Sequence, residues 1–194
     1  MDKIRPGRIV LVSGPSGVGK GTVIARIKQY SQLREDPLWE SISDTTREPR
    51  GDELDGVEYN FISRGVFLAR DAAGYYLETA VYANNLYGTP KLPILERSQA
   101  GLPVLAELEV QGATQILADA DDELHSRLTL VFLAPPSLGQ LRKQLIGRAT
   151  ESPKKIERRM AAAEWEMERS SMYDVIIVNH DVARSARLLE RLLL

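Results

Sequence analysis

Short apolar runs alternate with helical periodicity along most of the chain. Ile9-Val10-Leu11-Val12, Leu128-Thr129-Leu130-Val131-Phe132-Leu133 and Val175-Ile176-Ile177-Val178-Asn179 read as buried strands, since brief apolar runs bounded by turn signals suit a covered sheet. Val104 to Val110 reads as a further core strand, although Glu107 and Glu109 interrupt it. Between the runs, helical spacing extends from Thr22 to near Tyr30, from Pro93 to Ala100 with Gly101 ending it, and from Gln111 to Ala118. It continues from Ser137 through Ile146, from Ser152-Pro153 to about Ser170, and from Val182 to Leu193. Ser137 and Ser152 are N-cap residue types, and Pro153 falls at a first helical position, where its missing N–H costs nothing. Strands alternating with helices predict an α/β fold with a parallel sheet and helices on both faces.

Residues 39–89 break that rhythm. Trp39 to Ser43, Tyr59 to Ile62 and Tyr75 to Tyr82 read as short strands, and Ser63 can cap a helix that reaches Ala73 and stops at Gly74. Asp44 to Glu53 is polar and broken by Pro49 and Gly51, so it reads as a loop, and Asn84-Asn85 as a turn. The segment is expected to be a small, mostly β insertion. Gly147 to Glu151 reads as another turn.

Chemistry enters directly behind the first strand. Gly14-Pro15-Ser16-Gly17-Val18-Gly19-Lys20-Gly21-Thr22 carries the G-x-x-x-x-G-K spacing of a phosphate-binding P-loop. Glycines let backbone N–H groups turn inward around an anion, the following helix adds its partial positive N-terminus, and Lys20 adds a full charge. The usual hydroxyl straight after the lysine is absent: Gly21 stands there and Thr22 follows. The other reading is a glycine-rich strand–helix turn without a ligand. Glu107 and Glu109, two apart in a strand, are expected to point to one side. Paired carboxylates in a core strand are costly unless they meet cations, a metal or a ligand, and ligands gather beyond strand carboxyl ends. The alternative is an edge strand with a solvated face.

Composition narrows the rest. A chain of 194 residues suits one domain, or one core with insertions. A formal net charge of -2 argues against bulk attraction to nucleic acid or anionic membrane. With no cysteine, disulfides and thiolate metal sites are excluded, which suits a reducing compartment. No apolar signal core opens the chain and no run nears the ~20 apolar residues of a membrane span. A cytoplasmic, soluble protein is expected.

Several segments together resemble guanylate kinase, of the nucleoside monophosphate kinase group of P-loop proteins. They are Gly14 to Lys20, Ser43-Asp44-Thr45-Thr46-Arg47-Glu48-Pro49-Arg50, Gly56 to Phe61, Tyr87-Gly88-Thr89, Glu109-Val110-Gln111-Gly112-Ala113, Pro135-Pro136-Ser137 and Gly147-Arg148 through Arg158-Arg159. The P-loop alone is widely shared, and the T-T-R-x-P-R segment beside it is far more selective. The resemblance implies a P-loop fold: a core of residues 1–38, 90–140 and 172–194, a GMP-binding subdomain at 39–89, and a lid with flanking helices at 141–171. It implies transfer of the γ-phosphoryl group of ATP to GMP, and to dGMP, with Mg²⁺ and ATP as co-substrate. Self-association is left open.

By the same resemblance, Ser43, Arg47, Arg50, Tyr59, Glu78, Tyr87, Thr89 and Glu109 fall where the family places its GMP contacts. The residue types suit that substrate. Arg47 and Arg50 can fork onto phosphate oxygens, and Tyr59 and Tyr87 can donate hydroxyls to the same group. The competing reading of these four is a solvated charge pair and two half-buried core tyrosines. Glu78 would accept from the guanine N1–H and amino group, with Thr89 or Ser43 serving O6. Adenine reverses the key groups.

For ATP the resemblance implies the loop residues Gly14, Pro15, Ser16, Gly17, Val18, Gly19, Lys20, Gly21 and Thr22, the lid arginines Arg148 and Arg159, and Asn179 near the adenine. Lys20, Arg148 and Arg159 would act on the transferring group, and Thr22 and Glu107 are the candidate metal contacts. His125 and His180 are expected to have no catalytic part. The sequence departs from the family pattern at Gln144, where an arginine is usual, at Glu107 and Glu109 in place of aspartates, at Asn84-Asn85-Leu86 before Tyr87, and at Ala149 after Arg148. Two other readings remain: a non-catalytic guanylate-kinase-like module binding phosphorylated peptides, and a P-loop kinase for another small phosphate acceptor. The intact Lys20 loop weighs against the first, and Glu78 with Thr89 against the second.

Overall fold

The computed structural model describes residues 6–31, 38–119, 122–147 and 152–194. Its elements in chain order are β1 (Ile9–Ser13), α1 (Lys20–Ser31), β2 (Trp39–Glu40), β3 (Asp44–Thr45), β4 (Asn60–Phe61), α2 (Arg64–Ala72) and β5 (Tyr76–Tyr82). Then follow β6 (Asn85–Pro90), α3 (Lys91–Gln99), β7 (Val104–Glu107), α4 (Val110–Asp119), α5 (Asp122–His125) and β8 (Leu128–Ala134). The chain ends with α6 (Leu138–Gly147), α7 (Pro153–Glu168), a short 3-10 turn at Ser170–Met172, β9 (Val175–Val178) and α8 (Val182–Leu193). One sheet has the order β2-β7-β1-β8-β9, with β2 parallel to β7 and β8 parallel to β9; the other has the order β4-β3-β6-β5. The mixed α/β architecture, with helices flanking a central parallel sheet, is the one the apolar pattern predicts. No described helix is long and apolar enough to cross a membrane.

The structure separates into two compact units, Met1–Ile9 with Trp39–Leu128, and Val10–Leu38 with Thr129–Leu194. In the latter, the apolar stripe of α8 (Ala186, Leu189, Leu193) packs on α1, whose Val23, Ile24 and Ile27 are buried. Asp181 caps α8 by accepting from the Arg184 N–H, and Ser137 caps α6 by accepting from the Gln140 N–H. Leu141 and Leu145 of α6 meet Ile156, Met160 and Ala163 of α7 in a second cluster. Ser152 does occupy the N-cap of α7 with Pro153 behind it, yet its side chain makes no capping bond.

In the other unit, β5 and β6 form a hairpin whose turn places Ala83 and Asn84 at φ 48° and 66°. Two positive φ values in a two-residue loop match the right-handed twist of the flanking strands. Asn85 is therefore the first residue of β6, which the sequence did not foretell. Its Asn, Gly and Pro content disfavours strand, and pairing on both sides overrides that preference. Asp44–Thr45, expected in a loop, forms β3 for the same reason: it is paired with β4 and β6, and the Thr45 hydroxyl donates to the Leu86 carbonyl.

Three other boundaries differ. β7 ends at Glu107, and Glu109 precedes α4, its carbonyl accepting from the Ala113 N–H. The two carboxylates are thus not strand neighbours on one face. β9 is not a wholly buried strand: it is last in its sheet, and Ile176 and Val178 are 49% and 44% exposed. Gly147 closes α6 instead of opening a turn, and residues 148–151 of that expected turn lie outside the described residues.

Candidate functional site

The glycine-rich segment adopts a conformation that side chains would resist. Gly14, Gly17 and Gly19 have φ of 146°, 94° and 99°, and a Cβ on Gly14 would lie 2.2 Å from the Leu133 carbonyl oxygen. Lys20 opens α1 and is buried, its Nζ donating to the Gly14 carbonyl at 2.7 Å across the loop. Asn179, just past β9, donates to the Val18 carbonyl at 2.9 Å, and its own oxygen accepts from Ser185 at 2.9 Å. Both ends of that amide are committed, so Asn179 braces the loop. Arg159 of α7 donates to the Ser16 hydroxyl at 2.6 Å. Pro15 and Val18 are buried, while Gly21 and Thr22 are exposed in the first turn of α1. Arg148 lies outside the described residues. Gln144 is exposed, and neighbouring Arg142 is paired with Glu157.

The other constellation belongs to the unit containing the four-stranded sheet. A cleft is lined by Ser43, Tyr59, Glu78, Tyr87, Glu107 and Glu109, with Glu40, Ser41, Glu58, Ala80 and Leu108. A β-bulge explains how Glu78 reaches it. Tyr76 pairs with Pro90 and Glu78 with Thr89, so two steps on β5 match one on β6. Bulges re-aim side chains, and here Tyr76 and Glu78 end on opposite faces of the sheet.

Glu78 is the most unusual group of the cleft. It is 6% exposed; Oε1 accepts from the Thr89 hydroxyl at 2.6 Å, and Ser43 Oγ lies 3.2 Å from the same hydroxyl. Its Oε2 is buried without any hydrogen-bond partner. Burial pushes the carboxyl up from 4.5 to about 7; the Thr89 hydrogen bond opposes this and the Glu109 charge adds to it. Space for Oε2 exists only because residue 112 lacks a side chain: a Cβ on Gly112 of α4 would sit 2.1 Å from it. Gln115, one turn on, exchanges hydrogen bonds with the Thr79 backbone at 3.1 and 2.7 Å and fixes α4 beside β5. Gly112→Ala is accordingly expected to lower stability by about 1–3 kcal/mol, as overpacking does. Urea denaturation of the two proteins measures this, and equal midpoints would show that Glu78 can move aside.

Arg47 is buried, with its guanidinium carbon 5.3 Å from the Tyr59 ring centre and 5.6 Å from that of Phe61. It grips Glu53 through two hydrogen bonds of 2.8 and 3.0 Å, which hold its pKa above the ordinary guanidinium value. Glu53 also accepts from the Arg50 N–H at 2.8 Å, whereas the Arg50 residue is exposed. Tyr59 and Tyr87 meet edge to face at 5.8 Å, and burial, followed by the Glu107 charge, pushes the Tyr59 hydroxyl up to about 12. The structure thus brings Ser43, Arg47, Tyr59, Glu78, Tyr87, Thr89, Glu107 and Glu109 into one neighbourhood and leaves Arg50 at its surface. Glu53 and Gln115 were not foreseen. For Glu53 the available signal was an acidic residue within a turn of two arginines.

Among the described residues no cluster of three or more Asp, Glu or His side chains can hold a metal. Thr22 and Glu107 are both exposed, single oxygen donors of the hard kind that magnesium uses alongside phosphate oxygens and water.

Comparison with known proteins adds to this geometry. The family model described as guanylate kinase matches residues 6–194. A guanylate kinase of Frankia casuarinae is 42% identical over 189 residues, covering 97% of this chain and 98% of that protein. One of Thermus thermophilus is 42% identical over 180 residues, 93% of this chain and 77% of its own. The crystal structure of guanylate kinase from Anaplasma phagocytophilum superposes with a TM-score of 0.75 at 25% identity, over 97% of this chain and 85% of that one.

Proposed function

The chain belongs to the guanylate kinase family, and on that footing we propose that it moves the γ-phosphoryl group of ATP to GMP, and to dGMP, by direct in-line transfer with Mg²⁺, yielding ADP and GDP. The observation that carries the reading is the unpaired Oε2 of Glu78 inside a polar cleft. A buried carboxylate oxygen without a donor is costly, and guanine offers two adjacent donors, N1–H and the 2-amino group, to supply what it lacks. Thr89 gives its one hydroxyl proton to Glu78, so Ser43, 3.2 Å from that hydroxyl, is the group assigned to O6, to which its own O–H can turn. Glu109 contributes to the same acidic wall.

The GMP phosphate is assigned to Arg47, Arg50 and the hydroxyls of Tyr59 and Tyr87. Glu53 holds the Arg47 fork in place beforehand, which saves ordering cost when the phosphate arrives.

On the ATP side, the backbone from Gly14 to Gly19 supplies inward N–H groups and Lys20 the fixed charge beside them. Asn179 and Ser185 hold Val18 in register. Arg159, already at Ser16, and Arg148 are assigned to charge developing on the transferring group. Mg²⁺, when bound, would neutralise phosphate charge, and Thr22 and Glu107 are the residues assigned to hold it. Residues 39–89 then form the GMP-binding subdomain, 141–171 the lid, and the remaining residues the core, working in the cytoplasm where both nucleotides occur.

A coupled ADP-release assay with ATP and either GMP or dGMP, with and without chelator, tests the reading. Turnover with both acceptors and its loss on removing divalent cations are expected. Absence of turnover with GMP under any divalent cation would overturn it.

A further inference from the structure

We infer that Asp44 is a positioning residue for the guanine cleft: its buried carboxylate, on the opposite face of the sheet from the cleft, ties β3 to β4, β5 and α2 and so sets where Ser43, Tyr59, Glu78 and Thr89 stand. The inference rests on the GMP-binding reading above. Asp44 is fully buried, and its two oxygens are saturated by three donors. Oδ1 accepts from Asn60 Nδ2 at 2.8 Å; Oδ2 accepts from Arg70 Nη1 at 2.5 Å and from the Tyr76 hydroxyl at 2.7 Å. Those donors come from β4, α2 and β5 respectively.

Two of the ties, to Asn60 and Tyr76, reach strands beside cleft residues. Asp44 pairs with Asn60 on one side and Gly88 on the other. Alternation along a strand then places Ser43 and Thr45, Tyr59, and Tyr87 and Thr89 on the cleft face while Asp44, Asn60 and Gly88 occupy the back. Tyr76 is on the back because of the bulge that turns Glu78 forward. Its ring stacks on Phe67 with centroids 4.6 Å apart and lies against Gly88, where a Cβ would come within 2.8 Å of it. The bulge is thus pinned through the Tyr76 ring and hydroxyl. β3 and β4 are each only two residues long, so backbone pairing alone gives them little hold on register. A buried carboxylate that accepts from three donors on three elements supplies that hold, since removing it leaves all three donors without their acceptor.

Three variants test this, each read by calorimetric GMP affinity, by KM for GMP and ATP, by kcat, and by Tm. Asp44→Asn is expected to weaken GMP binding and raise its KM by ~10- to 100-fold, the scale of a small misplacement of binding groups, while KM for ATP and kcat at saturation stay within about threefold. Tyr76→Phe keeps the stacked ring and removes one hydrogen bond; about fivefold weaker GMP binding is expected, and this variant decides the matter if Asp44→Asn does not fold. Arg70→Lys retains a cation at Oδ2 and is expected to leave GMP affinity near wild type. If Asp44→Asn and Tyr76→Phe lower Tm but bind GMP as the wild type does, Asp44 is merely structural and the inference fails. Wild-type protein that binds GMP without phosphorylating it would overturn the transferase reading alone, and the affinities would still decide the role of Asp44.

Discussion

Lys20→Ala is expected to lower kcat by roughly three orders of magnitude, the scale seen when one preorganised electrostatic contact to a transition state is removed. Phosphoryl transfer asks little covalent chemistry of the protein, so fixed positive charge beside the phosphates carries much of the rate. Its Nζ donates to the Gly14 carbonyl at 2.7 Å, across the loop that would enclose those phosphates. The same truncation costs the fold little, on the order of 1 kcal/mol per net hydrogen bond lost, because Gly14 and Gly19 keep their conformation and Asn179 still holds Val18. Steady-state rates beside thermal melts separate the two effects. A near-normal kcat would remove Lys20 from the mechanism.

Glu78→Gln is expected to cut selectivity for GMP over AMP by ~10²–10³, within the range over which a site built to hydrogen-bond one partner rejects its analogue. An amide offers only one acceptor and presents N–H groups to guanine's own donors. The free protein should respond in the opposite direction. Below pH 4.5 the carboxyl is neutral in both folded and unfolded chains. As pH rises from there through about 7, the unfolded chain ionises while burial keeps the folded group protonated, so stability falls, by an amount of order 3 kcal/mol once above 7. Glu78→Gln removes that loss: it should match wild type in urea denaturation at pH 5 and exceed it at pH 8. The KM for GMP of wild type should fall between pH 6 and 8 as the carboxylate forms, and this limb should vanish in the variant. Unchanged selectivity, or an equal stability difference at both pH values, would mean that the base is read elsewhere or that Glu78 is already ionised.

These two residues were legible in the sequence for different reasons. The phosphate loop is local: strand, glycines, lysine and helix are consecutive, so spacing alone pointed to it, and Gly14, Gly17 and Gly19 adopt the positive φ values that only glycine takes easily. Strand–helix alternation likewise predicted the parallel sheet, because both of its faces are covered by amphipathic helices. Glu78 was legible through family resemblance, but the strain around it was not. Its orphaned oxygen depends on Gly112, thirty-odd positions away, and its aim depends on a bulge that periodicity cannot show. β3 and β6 escaped notice because Asp, Asn, Gly and Pro argue against strand, and only their partners make them one. Glu107 and Glu109 looked like strand neighbours because apolar alternation continues through Val110, whereas the helix begins there and ends the strand at Glu107. Arg47 was expected to await a phosphate; the structure adds Glu53, already gripping it.

Guanine meeting Glu78 is the contact proposed to choose the acceptor of this phosphotransferase. The most direct measurement is kcat/KM of the wild-type protein for GMP against AMP, CMP and UMP under saturating ATP and Mg²⁺. A preference for GMP of at least ~10³ over each competitor is predicted, as expected where buried polar groups would otherwise go unpaired. Comparable kcat/KM for AMP, or turnover of every acceptor except GMP, would contradict the account.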